Sequence, residues 1–145
     1  VPIIFYDPDW DTHPERAPKP LGKGYLQDSV PVAQADIMPS VLEYVGYNKP
    51  YFSFGEDALT QTKTRPYVVC SNPPVYQLFS DHLFLQSDGA NVMHVYDYAQ
   101  DRLLKHDLVK ERDPEAEMTY LKAFIEQYIY RMIHNELTIN GNENR

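Results

Sequence analysis

The sequence predicts an α/β chain that is α+β in its second half, with a small antiparallel sheet closed by a long C-terminal helix. Three observations predict it. Tyr67 to Cys70, Val75 to Phe79, His82 to Gln86 and Val92 to Tyr98 are short runs rich in β-branched and aromatic residues. Ser80-Asp81 and Ser87-Asp88-Gly89-Ala90-Asn91 separate them with residues that tolerate tight-turn dihedrals, which makes an antiparallel meander the natural arrangement. Beyond them, Met118, Leu121, Ile125, Tyr128, Ile129 and Met132 recur about every 3.6 residues, the period of a helix with one apolar stripe.

Taken in order, Val1 to Tyr6 reads as a buried strand that stops at Asp7-Pro8, and an apolar strand at the first residue is expected to be delivered into a sheet by preceding chain. Residues 7 to 35 hold Pro8, Pro14, Pro18, Pro20 and Pro31, a density that breaks both periodicities and predicts an irregular excursion. Asp36 to Gly46 reads as a short helix. Asp36 can accept from a first-turn amide, Pro39 fits the first turn, Ile37, Val41, Leu42 and Val45 form the apolar face, and Gly46 can take the left-handed stop. Tyr47 to Gly55 should be an extended, packed connection. Asp113-Pro114-Glu115 opens the last helix with a capping side chain, Pro at the first position and acids in the first turn, and the helix should run to about Asn135. Lys122, Glu126 and Arg131 can stay in water. The expected organisation is residues 1–65 as one part, 66–138 as sheet plus packing helix, and 139–145 as a disordered tail.

A chain of 145 residues, 43% of them hydrophobic, can bury a core. A formal charge of -8 argues against nucleic acid as a partner, because a polyphosphate backbone calls for a clustered Lys/Arg surface. No apolar run approaches the roughly 18 residues that span a bilayer, so no membrane contact is expected of this segment. Cys70 is a single cysteine, expected at a strand end as a buried, inert thiol.

Candidate chemistry is sparse. Asp81-His82 could bind a divalent cation, but it stands where one strand run stops and the next starts, with no second carboxylate or histidine cluster nearby in sequence, and reads as a hairpin turn. Cys70-Ser71-Asn72-Pro73-Pro74 lacks the Pro and Arg that follow a sulfatase nucleophile. His13, His94, His106 and His134 are scattered singly; His13 stands apart because a long Pro-rich loop is a reasonable place for a substrate contact. Twelve tyrosines and Trp10 could make a platform for sugar rings, although Tyr44, Tyr96, Tyr98 and Tyr128 fall at packing positions.

Val1 to Pro8, Gln34 to Gly46 and Tyr51 to Leu59 together resemble the sulfatase or lipoteichoic-acid-synthase-like family of the alkaline phosphatase superfamily. Val1-Pro2-Ile3-Ile4-Phe5-Tyr6-Asp7-Pro8 resembles the strand that follows the family's metal-binding Asp-His pair. Gln34-Ala35-Asp36-Ile37-Met38-Pro39-Ser40-Val41-Leu42-Glu43-Tyr44-Val45-Gly46 is similar to its Asp-Ile-Pro-Thr-Leu-Leu helix, and Tyr51-Phe52-Ser53-Phe54-Gly55-Glu56-Asp57-Ala58-Leu59 to its Phe-Gly-x-Asp-Leu segment. Asp101 to Leu108 and Tyr128 to Thr138 extend the resemblance over most of the chain. The resemblance implies the C-terminal part of an alkaline-phosphatase-like fold. It also implies a parent enzyme acting on sulfate esters or phosphoglycerol-type phosphodiesters, with a divalent metal and a nucleophile held upstream. The parent would be extracytoplasmic and membrane-anchored, and the partner of this segment is then the upstream part of the same polypeptide. No catalytic or metal residue is carried over; the substrate-loop candidates are Trp10, His13 and Arg16. The alternative from another class is a non-catalytic, tyrosine-rich glycan-binding or interaction module.

Overall fold

The computed structural model describes residues 6–16, 31–59, 67–80 and 82–139. Residues 1–5 of the strand expected over Val1 to Tyr6, the middle of the Pro-rich loop, Asp81 and the end of the expected tail lie outside the described residues, and Tyr6 itself is exposed and in no strand. The chain divides into two compact units, Val1–Lys49 with Ser53–Thr64 and Pro50–Phe52 with Arg65–Arg145.

In the first unit, the stretch expected to be irregular contains a four-residue helix, α1 (Asp9–Thr12), followed by a 3-10 turn at Pro14–Arg16. Asp7 accounts for this local order, because its Oδ1 accepts from the Asp9 amide at 2.9 Å and so occupies a donor that α1 itself leaves free. A second 3-10 turn, Gln34–Asp36, leads into α2 (Ile37–Tyr44). Asp36 does not cap α2 as the sequence predicts. Its Oδ2 instead accepts from Ala33 N and its Oδ1 from Glu56 N, both at 2.8 Å, because its backbone is already helical and turns the carboxylate away from the first turn.

The C-terminus of α2 agrees with expectation. Gly46 has φ 70°, its amide donates to Glu43 O and that of Tyr47 to Leu42 O, the paired bonds of a Schellman stop. The expected apolar face of α2 does not. Ile37, Val41 and Val45 are exposed, and the buried positions are Pro39 and Ser40. The helix is instead seated on its polar contacts to the Gly55 to Leu59 segment.

In the second unit, β1 (Val68–Asn72), β2 (Val75–Phe79), β3 (Leu83–Ser87) and β4 (Val92–Asp97) form an antiparallel sheet in the order β1-β2-β3-β4, the expected meander. The long helix α3 (Glu115–Ile133) starts one residue late: Pro114 occupies the N-cap, its carbonyl accepts from Met118 N, and Asp113 does not cap. At the other end Asn135 takes φ 57°, with Asn135 N bonded to Met132 O and Glu136 N to Arg131 O, a second Schellman stop with Asn in place of Gly.

Strand alternation divides the sheet. Val69, Leu78, Leu85 and Val95 pair in one row across the four strands and pack with Leu83, Met118 and Leu121 into the core, joined at its margin by Val92 and Ile125. Val92 and Val95 are three residues apart yet share that core. A bulge permits this, since Gln86 pairs with His94 and Ser87 with Val92, leaving Met93 as an extra, exposed residue. The lower part of the expected α3 stripe is not covered: Tyr128, Ile129 and Met132 are exposed. Cys70 is likewise neither buried nor terminal. It is exposed in the middle of β1, because it falls opposite Gln77 on the face turned from α3; partial burial of its thiol against the sheet still pushes its pKa up.

Candidate functional site

Among the described residues, three polar arrangements bear on function, and each stays within one unit. The first surrounds α1. Trp10 is 5% exposed, with the Tyr44 ring edge-on at 5.7 Å, and the Tyr44 hydroxyl donates to Asp7 Oδ2. That bond, then the one from the Asp9 amide, hold the Asp7 carboxyl below its ordinary value, while the same contact pushes the Tyr44 phenol up. His13 and Arg16 lie at the surface with acidic neighbours: His13 Nδ1 is 3.2 Å from Glu15 Oε1, and Arg16 Nη1 donates to Asp9 Oδ2 at 3.3 Å. Of the sequence candidates, Trp10 is therefore packed inside the unit and His13 and Arg16 are on its surface, each beside its own carboxylate. The long Pro-rich loop was the signal for all three.

The second arrangement joins the turn and helix around Asp36 and Ser40 to the Gly55 to Leu59 segment. Asp36, 4% exposed, ties its own turn to Glu56 N, and Ser40 Oγ donates to Asp36 O at 2.6 Å while accepting from Ala58 N at 2.8 Å. Gly55 is required here by space: a Cβ on it would lie 2.0 Å from Ala35 O. All these bonds run to backbone groups, so Asp36, Ser40 and Gly55 act as a clip. Buried polar atoms that satisfy main-chain donors hold a fold together.

The third arrangement was not legible as a site in the sequence. His94 on β4 and Asp107, 13 residues on, meet with His94 Nδ1 2.7 Å from Asp107 Oδ2. A carboxylate only accepts, so Nδ1 carries the proton, and in the neutral ring Nε2 keeps its lone pair. Asp107 Oδ1 is fixed in turn by Val95 N at 3.1 Å and Val109 N at 3.0 Å, and Leu108 N donates to Val95 O at 2.7 Å. The loop so covers the outer edge of β4, which would otherwise present unpaired main-chain groups. Burial pushes the Asp107 carboxyl up, but the bonds from His94, Val95 and Val109 together outweigh it and hold it below its ordinary value. Strand parity, with Val95 inside and His94 outside, was the available signal; nothing local pairs position 94 with 107.

A groove of about 560 Å³ beside the start of α3 is lined by Asn91, Val92, Asp113, Glu115, Met118 and Lys122. Among the described residues no group of three or more His, Cys, Asp or Glu side chains is placed to hold a metal ion. The described helices include none long and apolar enough to cross a membrane. No protein-family model matches the chain, and no curated protein matches it.

Proposed function

We propose that this chain is the C-terminal supporting part of a sulfatase-like, metal-dependent hydrolase or transferase of the alkaline phosphatase superfamily. In the parent, sulfate ester or phosphoglycerol-type phosphodiester chemistry is carried by a nucleophile and a divalent metal that residues upstream of this segment hold. The observation that carries the reading is the clip. The segment around Asp36-Ile37-Met38-Pro39-Ser40 and the segment Phe54-Gly55-Glu56-Asp57 each resemble the family separately, and they are bonded to one another through Asp36 and Ser40. The small antiparallel sheet backed by a long C-terminal helix is consistent with the C-terminal end of such a fold. The exposed apolar face of α2, with Ile37, Val41 and Val45, supports the same reading, because in the parent that helix covers the large sheet that carries the upstream ligands. The contribution of this segment is positional: a firmly supported sheet keeps metal-site geometry within the tolerance that catalysis demands. On this reading the parent acts outside the cytoplasm and is anchored in the membrane by a part other than this one.

The test joins this chain to the polypeptide encoded upstream of it and compares the two proteins with p-nitrophenyl sulfate and p-nitrophenyl phosphate in the presence of divalent cations. Turnover by the longer protein and none by this chain alone is the expected result. Hydrolysis by this chain alone would overturn the proposal. Micromolar oligosaccharide affinity accompanied by a change in Trp10 fluorescence would replace it with the glycan-binding reading.

A further inference from the structure

We infer that the corner of the sheet face turned away from α3, made by Gln86, His94 and Tyr96, binds the ring of a neutral saccharide. The inference is independent of the enzymatic reading above, since it rests on the second unit alone. Gln86 and His94 are direct cross-strand partners, and the His94 ring stacks beside Tyr96 at 6.0 Å with 26° between planes. Tyr96 in turn lies beside Phe84 at 6.1 Å and 21°, and Phe84 beside Phe79 at 4.6 Å and 19°. The four rings therefore stand as a ladder across three strands, and the half-buried His94 and Tyr96 form its accessible end.

Three chemical features at that end converge on one ligand class. The imidazole is oriented: Asp107 holds Nδ1–H, and Asp107 is itself held by two main-chain amides, so Nε2, an acceptor in the neutral ring, is already positioned when a hydroxyl arrives. The Gln86 amide supplies a donor and an acceptor beside it and is engaged by no hydrogen bond among the described residues. The charged group in contact with His94 is a carboxylate, on a chain of net charge -8, so sulfate and phosphate meet repulsion. What remains is an uncharged ligand with an apolar C–H face for Tyr96 and hydroxyls for Nε2 and the amide, which describes a sugar ring.

The experiment is an amide and side-chain NMR titration of the full chain with maltotriose, cellotriose and chitotriose, with inorganic sulfate and Zn²⁺ as opposing probes. The expected result is a saturable shift with at least one saccharide, confined to Gln86, His94, Tyr96 and Asp107. The affinity should drop about fivefold in His94→Ala. Gln86→Ala, at a position outside the core, should weaken it in the same sense, so that a folding defect in the histidine variant leaves the test intact. The Leu85 and Val95 amides report the fold in both. Silence with every saccharide, shifts elsewhere in the chain, unchanged affinity in both variants, or a response at these residues to sulfate or Zn²⁺ alone would each overturn the inference.

Discussion

In the second unit six apolar side chains, Leu78, Leu83, Leu85, Val95, Met118 and Leu121, are withdrawn from water between sheet and helix, whereas in the first unit a carboxylate and a hydroxyl, Asp36 and Ser40, are buried as deeply. The one is held by area, which is non-directional and roughly additive. The other is held by a few hydrogen bonds to main-chain amides, each of which fails abruptly if its partner is removed. Sequence wording is therefore fixed differently in the two. The core tolerates one aliphatic side chain for another of similar volume. The clip demands an oxygen at 36, a small hydroxyl at 40 and no side chain at all at 55.

The largest effect should come from the apolar side of this comparison. Leu121 is fully buried against the sheet. Leu121→Ala should cost about 3 kcal/mol, read as lost hydrogen-exchange protection of the β2 and β3 amides. A loss under about 1 kcal/mol would mean that the sheet does not depend on α3 for its burial.

Next comes the polar side. Asp36→Ala leaves the Ala33 and Glu56 amides without their acceptor inside the first unit and should cost about 2 kcal/mol. Trp10, the single tryptophan, belongs to the same unit and its fluorescence melt is the readout. Asp36→Asn, which keeps an acceptor, should recover part of the loss; an equal loss in both variants would make charge, not geometry, the operative property.

The smallest effect sharpens the comparison by acidity. Asp107 has its carboxyl depressed in the folded chain, so its contribution is present above the unfolded value of about 3.9 and is lost as the pH falls through the lower folded value. Protection of the Val95 and Leu108 amides should decline in that acid window in the parent chain and stay level in Asp107→Asn, whose side-chain oxygen still accepts. A decline of the same size in the variant would assign the acid sensitivity to other carboxylates; Asp88 and Asp101 are also depressed, by hydrogen bonds from Asn91 and His106 amides first.

The contrast also explains what could be read before the fold was known. β2 has the bounds its residues announce, and the other strands and α3 differ by one or two residues, because alternation and the helical period are local properties. The Gly46 stop was legible for the same reason. The clip was not, since Asp36 reaches a partner 20 residues away and a helix-capping role is the ordinary expectation for Asp before a helix. Burial of Cys70 was misjudged because composition places a cysteine in a strand but does not say that the strand is an outer one. The substrate-loop residues Trp10, His13 and Arg16 were named from their loop; the pairing of His94 with Asp107 depends on how a later loop returns to the sheet, which no spacing encodes.

Met93 has a consequence for how this protein can change. Because it is the surplus member of its strand, a chain shortened there keeps Val92 toward the interior and His94 toward the exterior, whereas a strand with no surplus residue swaps inside for outside when one is removed. The hairpin between Ser87 and Val92 can thus gain or lose length at this joint while the histidine and the tyrosine beyond it keep their places.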